Sequence, residues 1–225
     1  MVARVPWLLG WLGLFGGPAF AQDHVESNQD SAEFGTAVAS AGDVDGDGYD
    51  DVLVAAPEFS GAFTKEGAVA LYRGSPTGIA SSAAWTISGG DDYGYLGVSV
   101  AGAGDVNGDG FDDVIVGGPL DADGGALVYL GSATGLDPVP AWEGSSPYDG
   151  FGVSVASAGD VNGDGYDDVI IGQPYGYTSH VYIYLGSPTG PETSPSWTVW
   201  SPVPLSDFGQ SVASAGDVNG EPFRA

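Results

Sequence analysis

From residue 34 onward the apolar residues fall in short runs, of the four-to-eight length typical of strands, separated by Gly, Pro, Asp and Asn. Between residues 153 and 201 the runs read VSVASAGD from Val153, DVIIGQP from Asp168, HVYIYLGS from His180 and PSWTVWS from Pro195. Short apolar runs bounded by turn residues predict β-strands. No window carries a period of 3.6, so no long helix is expected. The first run is built of small residues and the later ones are bulkier. That gradient suits a first strand at a crowded axis with the others fanning outward.

The same four runs recur. GDVDGDGYDDVLVAAP at 42–57 returns as GDVNGDGFDDVIVGGP at 104–119 and GDVNGDGYDDVIIGQP at 159–174, and a broken copy, GDVNGEPFRA, stands at 216–225. The leading aspartates are Asp43, Asp105, Asp160 and Asp217, giving steps of 62, 55 and 57 residues. A period of this size marks a solenoid, propeller or array. GSPTG at 74, GSATG at 131 and GSPTG at 186 keep the same beat, each followed 11 residues later by a tryptophan, Trp85, Trp142 and Trp197. Four antiparallel strands per unit, arranged radially, is the plan of a β-propeller blade. The expected fold is therefore an all-β propeller with blades at 34–90, 91–147 and 148–203, a truncated fourth blade at 204–225 and a leader at 22–33.

Each repeat crowds oxygen-bearing side chains at alternate positions. Counting the leading aspartate as position 1, positions 1, 3, 5, 7 and 9 are Asp43, Asp45, Asp47, Tyr49 and Asp51 in the first copy. They are Asp105, Asn107, Asp109, Phe111 and Asp113 in the second, and Asp160, Asn162, Asp164, Tyr166 and Asp168 in the third. Alternate residues in a tight loop turn their side-chain oxygens inward, and a backbone carbonyl serves at position 7, which matches the oxygen-only preference of Ca²⁺. Glycines such as Gly163 and Gly165 let the backbone curl. Without a cation the carboxylates would repel and raise one another's pKa. Three calcium sites are expected. A metal-free Asx-rich turn would share the composition, but three copies with oxygens at the same odd positions favour the metal. An EF-hand would need an acid at position 12 and flanking helices; Val54, Val116 and Ile171 stand there, inside strands. Asp50, Asp112 and Asp167, at position 8, are expected to face solvent or brace the loop.

Composition narrows the setting. There are 30 Asp plus Glu against 4 Lys plus Arg, a formal net charge of −26, which excludes nucleic acid and anionic membrane as favoured partners. With 15% charged and 43% hydrophobic residues, 39 Gly and 15 Pro, the chain is neither a disordered acidic tail nor helical. Residues 1–21 carry Arg4, the apolar run WLLGWLGLF at 7–15 and then AFA at 19–21. This is a signal-peptide pattern, and the run is too short to span a bilayer. Secretion to the exterior or the cell surface is expected, with no membrane insertion after cleavage. The chain has no cysteine, so stability must come from a core or a metal rather than from disulfides.

Phe34-Gly35, Leu96-Gly97, Phe151-Gly152 and Phe208-Gly209 precede the acidic loops, and Ala55-Ala56-Pro57, Gly117-Gly118-Pro119 and Gly172-Gln173-Pro174 follow three of them. In these residues the chain resembles the FG-GAP repeat of the integrin α-subunit propeller and its bacterial relatives. The resemblance implies that the calcium loop is the hairpin between the first and second strands, on the lower face of a seven-bladed ring. Leu96 departs from Phe. The fourth copy keeps Asp217 and Asn219 but has Glu221 and Pro222 where Asp and Gly stand elsewhere, and it is not expected to bind calcium. Three blades plus one strand at 210–217 leave two open edges that invite self-association. The abrupt departure at GEPFRA favours a sequence cut or shifted in frame over a ring completed by two chains.

Loop lengths point to a partner surface. From position 1 to the following proline is 14 residues in each copy, whereas Pro57 to Gly74 is 17 and Pro119 to Gly131 and Pro174 to Gly186 are 12. The variable connections emerge opposite the calcium loops, and a rigid scaffold with variable loops is a common binding arrangement. They carry Phe59, Phe63, Lys65, Asp121, Asp123, Tyr175 and Tyr177, then Tyr93, Tyr95, Tyr148 and Asp149. Three function classes follow. The first is an extracellular binding or adhesion module for a protein or glycan, favoured by the resemblance. The second is a propeller piece of an extracellular hydrolase, disfavoured because His24 and His180 are the only histidines. The third is a structural spacer.

Overall fold

The computed structural model describes residues 29, 31–118, 124–146 and 150–216. Twelve strands run in chain order: β1 Val38–Gly42, β2 Asp51–Ala56, β3 Ala68–Tyr72, β4 Trp85–Ser88, β5 Ser99–Gly104, β6 Asp113–Gly118, β7 Gly125–Tyr129, β8 Trp142–Ser145, β9 Ser154–Gly159, β10 Asp168–Gln173, β11 His180–Tyr184 and β12 Trp197–Trp200. They form three four-stranded sheets in which each strand pairs antiparallel with the next in sequence. No helix occurs among the described residues. The architecture is all-β, three successive propeller blades, as the runs of apolar residues predict.

Why the first strand of each unit is built from Ala, Ser, Gly and Val is now visible. β1 lies beside β5 and β5 beside β9, so closely that a Cβ on Gly102 would come within 2.9 Å of Ser40 O and 3.1 Å of Ala41 O. Each first strand ends in a register shift at its last glycine. Gly42, Gly104 and Gly159 stand there with φ of 77°, 75° and 71°, a bulge that turns the chain out of the ladder into the acidic loop.

The core lies between sheets. Leu53, Val69 and Leu71 of the first blade pack against Val100, Val114, Val116 and Tyr129 of the second. Ile115, Val128 and Trp142 of the second pack against Phe151, Val155, Val169, Ile171 and Tyr184 of the third. This explains the nearly continuous apolar character of β6, which is buried along its whole length. The tryptophan following each GSxTG turn is an inter-blade tie. Trp85 meets Tyr129 edge-on at 5.0 Å and Trp142 meets Tyr184 at 4.9 Å. Their indole N–H groups donate to Asp137 O at 3.1 Å and Glu192 O at 3.0 Å in the following blade. The residue at the FG position wedges in at the opposite end: Leu96 and Phe151 bridge in parallel to Gly67 and Gly124 of the preceding blade. The Ser99 and Ser154 hydroxyls donate to Gly152 O at 2.8 Å and Gly209 O at 2.7 Å. Leu96 is as fully buried as Phe151, so the change from Phe is absorbed.

One expected element is absent from the described residues. The segment 210–216, expected to open a fourth blade, forms no ladder. A strand needs a partner for its amides, and here none of the described residues supplies one. The segment lies against the third blade, where the Ser214 hydroxyl reaches Ala158 O at 3.4 Å.

Truncating Phe151, fully buried among Tyr182 and Tyr184, is expected to cost about 3–5 kcal/mol. Leu205→Ala, at a position 74% exposed, should stay within about 0.5 kcal/mol of the parent. Urea denaturation of the two variants in one buffer checks the difference.

Candidate functional site

Residues 43–51, 105–113 and 160–168 connect the first to the second strand of each blade, and each loop folds around its own side-chain oxygens. The position-1 carboxylate collects loop amides. Asp105 accepts from Gly108 at 2.7 Å, Asp109 at 3.0 Å and Gly110 at 2.8 Å. Asp160 accepts from Gly163 at 2.7 Å, Asp164 at 3.1 Å and Gly165 at 2.9 Å. Asp43 accepts from Asp47 at 3.0 Å and Gly48 at 2.8 Å. The position-3 oxygen takes the position-5 amide, at 3.2 Å for Asp45, 3.0 Å for Asn107 and 2.9 Å for Asn162. The position-5 carboxylate then takes the amide of Tyr49 at 3.0 Å, Phe111 at 3.1 Å and Tyr166 at 3.1 Å. These are nested Asx turns, and they draw positions 1, 3 and 5 toward one point. In the first loop Asp43, Asp45 and Asp47 offer oxygens that all lie within 4.8 Å of one another. In the other two, the Asn107 and Asn162 amides donate to Asp109 and Asp164, each at 2.8 Å.

Position 9 differs in kind. Asp51, Asp113 and Asp168 are buried, and each donates structure to a different part of its blade. One oxygen accepts the amide of Gly74, Gly131 or Gly186, the first residue of the GSxTG turn, at 2.8 Å in all three cases. The other accepts Val106 N–H or Val161 N–H at 2.8 Å. In the first blade Asp51 Oδ2 is buried with no partner in hydrogen-bonding geometry, although the Val44 amide still pulls the carboxyl's pKa down. Burial raises the pKa of all three carboxyls, the Asp113 carboxyl to about 7. The charges of the position-1 and position-5 aspartates raise Asp113 and Asp168 further, while the two amides oppose the rise.

Converging carboxylates, a buried carboxylate oxygen without a partner and an all-oxygen donor set together fit a hard divalent cation. Positions 1, 3, 5 and 9 could hold it through side chains. Tyr49, Phe111 and Tyr166 could contribute only backbone carbonyls, because the rings of Phe111 and Tyr166 lie over the preceding blade's Gly46 and Gly108.

Two features of the site were not read from sequence. The position-9 link to GSxTG was signalled by the shared beat of the two motifs, but no repeat shows which atoms meet. The first loop also carries a cation of its own. Arg73 Nη1 lies 3.0 Å from Asp45 Oδ2, and Nη2 donates to Thr134 O of the second blade at 2.9 Å. Where Asp45 and Arg73 stand in the first unit, the second has Asn107 and Leu130 and the third Asn162 and Leu185. The added carboxylate and the added guanidinium arrive together.

At the opposite end of the blades the variable loops pack on one another. Tyr93 N–H donates to Thr64 O at 2.6 Å and Tyr95 N–H to Lys65 O at 3.0 Å, and Thr64 N–H donates to Asp92 at 2.6 Å. Lys65 pairs with Glu58 at 2.7 Å and sits 5.7 Å from the centre of the Tyr95 ring. Phe63, Tyr93, Tyr175 and Tyr177 are exposed. Phe59 is not a surface residue: it is buried with Ala32, Ala56 and Ala68, because its loop folds back to cover the end of the first sheet. Asp121, Asp123, Tyr148 and Asp149, together with Asp217, Asn219 and residues 1–21, lie outside the described residues.

The FG-GAP repeat family model matches residues 34–72 and 151–184. The second unit falls outside those ranges, yet folds to the same four-stranded sheet with the same loop bonds. Among curated proteins the chain is 33% identical to mouse (Mus musculus) integrin alpha-IIb over 195 residues, covering 81% of this chain and 18% of that protein. It is 36% identical to Xenopus laevis integrin alpha-4 over 147 residues, covering 62% of this chain and 14% of that protein. With Drosophila melanogaster integrin alpha-PS2 it shares 30% identity over 228 residues, 91% of this chain and 16% of that protein. The chain thus spans less than a fifth of the length of these relatives. Blades, loops and sequence similarity agree that the chain is an FG-GAP repeat protein, its repeats similar to those of integrin α-subunits.

Proposed function

We propose that this chain is a calcium-stabilised extracellular propeller segment that serves as a binding or adhesion module. Its calcium ions sit in the loops at 43–51, 105–113 and 160–168, and a protein or glycan ligand contacts the opposite face. The observation that carries the reading is the repetition of one oxygen cage three times, with a buried carboxylate behind each. A bound Ca²⁺ supplies the charge those carboxylates lack. The integrin α-subunits to which the chain is similar support an extracellular adhesive role, as does the signal-peptide pattern at 1–21. Among the described residues no helix is long and apolar enough to cross a membrane. The reading is non-enzymatic. His180 is stacked on Tyr182 with Nδ1 3.1 Å from Thr178 O, at the end of its sheet remote from the acidic loop.

Elemental analysis of the secreted protein should find three calcium ions per chain, and EGTA should lower the melting temperature, since a ligand of the native state stabilises it by mass action. Asp160→Ala should remove one ion and leave two. A metal-free protein with an unchanged melt would refute the site assignment. For the ligand face, binding to arrayed glycans and matrix proteins should fall with Tyr175→Ser/Tyr177→Ser. It should survive Thr77→Ser/Thr134→Ser, which alters only the turns beside the acidic loops. The reverse pattern would put the ligand on the other face.

Protons compete with the cation. The folded Asp113 carboxyl, near 7, lies above its ordinary value of 3.8, so the folded state holds a proton that the unfolded chain has released. Stability contributed by that proton is complete below about pH 4 and is lost as the pH rises through 7. In EGTA the melting temperature should therefore fall between pH 4 and 7. In saturating calcium the fall should shrink, because the ion replaces the proton, and apparent calcium affinity should rise across the same interval. Melts at matched ionic strength, with and without calcium, read both.

A further inference from the structure

Position 8 of the second and third loops turns away from its own cage to the loop before it. Asp112 of the second blade turns to the first: its Oδ2 accepts Asp43 N–H at 2.8 Å, and its own N–H donates to Asp43 O at 3.2 Å. Asp167 of the third blade does the same to Asp105 of the second, at 3.0 Å and 3.0 Å. Position 1 of one loop is thus clamped on both sides of its backbone by position 8 of the next. The fit is close, since any Cβ on Gly42 or Gly104 would overlap the Asp112 or Asp167 carboxylate. One residue earlier, the Phe111 and Tyr166 rings lie over Gly46 and Gly108, within 2.8 Å and 2.7 Å of where a Cβ would stand. Further along, Ser132 N–H donates to Val44 O at 3.0 Å and Ser187 N–H to Val106 O at 3.1 Å. The first loop is roofed by the second, and the second by the third. Asp50, the first-blade counterpart, makes no such bond among the described residues and is exposed.

We propose that Asp112 and Asp167 are positioning residues that couple neighbouring calcium loops, so that an ion in one raises the affinity of the loop before it. The inference rests on the calcium assignment proposed above. On the calcium assignment, position 8 lies between position 7, which would offer its carbonyl to the ion, and position 9, which would offer its carboxylate. A cation that fixes 7 and 9 fixes the residue between them, and that residue holds the peptide group bearing the preceding loop's position-1 ligand. Coupling of this kind is reciprocal. Among the described residues Asp50 makes no such clamp, which gives the molecule its own control.

The test is calorimetric calcium titration of the full chain in the Asp160→Ala background, where only the first and second loops fill. Asp112→Ala and Asp50→Ala each remove one carboxylate from the same loop position, but only the first breaks the clamp. With the clamp intact, the first loop should bind about fivefold more tightly once the second is filled, a size typical of site-to-site coupling. Asp50→Ala should preserve that steep titration. Asp112→Ala should broaden it into two independent steps, and Asp112→Asn, which keeps an acceptor oxygen, should restore it. Identical curves for Asp112→Ala and Asp50→Ala would overturn the proposal, as would a parent protein that binds its ions independently, which would leave the calcium assignment intact. Absence of any calcium binding would overturn both. Should Asp112→Ala not fold, Asp109→Ala serves instead, since it empties the second loop with Asp112 in place. It should then weaken the first loop's affinity about fivefold, and an unchanged affinity would again overturn the coupling.

Discussion

At the foot of every sheet a carboxylate has been taken out of water. Asp51, Asp113 and Asp168 begin the second strand of their blades, and each reaches sideways to the glycine amide that starts the GSxTG turn. That bond ties the hairpin of strands one and two to the hairpin of strands three and four at the one end where the ladder alone leaves them free to part. The cost is a buried negative charge, relieved by two amides at Asp113 and Asp168, by one at Asp51 and, in our reading, by the ion in front of each. A buried carboxylate with only amide partners is a weak anchor, because its proton returns as it is desolvated. The same residue with a cation is a strong one. The position that organises the blade is therefore the position that makes the blade depend on what fills the loop.

Between blades the ties are repeated rather than varied. An indole N–H reaches a carbonyl of the next blade, a serine hydroxyl reaches the glycine after the FG residue, and a position-8 carboxylate seizes the previous loop. Every one of these runs between immediate neighbours. Stability in such an array is close to a sum of unit terms and nearest-neighbour terms. Whatever orders one unit has a definite set of bonds through which to reach the next.

Much of this was legible from the chain. The four-run unit and the glycines that let the acidic loop curl, Gly163 and Gly165, could be read because they obey local rules: strand period and left-handed turns. Small residues in the first strand announced the crowded axis that Gly102 and Ala41 form. Contacts between units escaped the reading. Nothing about Phe59 in isolation separates a covering residue from a displayed one, and only the return of its loop buries it. Position 8 could be assigned to solvent or to bracing and no further, because its partner lies 69 residues away in one case and 62 in the other. The expectation of a fourth first strand failed on the described residues for a related reason: a strand is defined by its partner, and its own sequence does not supply one.

The first unit shows how far the plan bends. Its loop holds an additional carboxylate, Asp45, where the others hold an asparagine amide that donates to position 5. Replacing that donor by an acid both adds a negative charge and removes a bond, so the cage should be the least stable of the three when empty. Arg73 meets both losses. It pairs with Asp45 from outside the cage, at 3.0 Å, and anchors to Thr134 O of the second blade, doing by charge across the blade boundary what the asparagine does by hydrogen bond within the loop. A cation entering this loop would meet a carboxylate already paired with a guanidinium, whereas in the other two loops it would meet an amide oxygen already turned by its neighbour. The three cages thus reach a similar electrostatic balance by two routes, and in the first the balance is held by an arginine that also joins the first two blades.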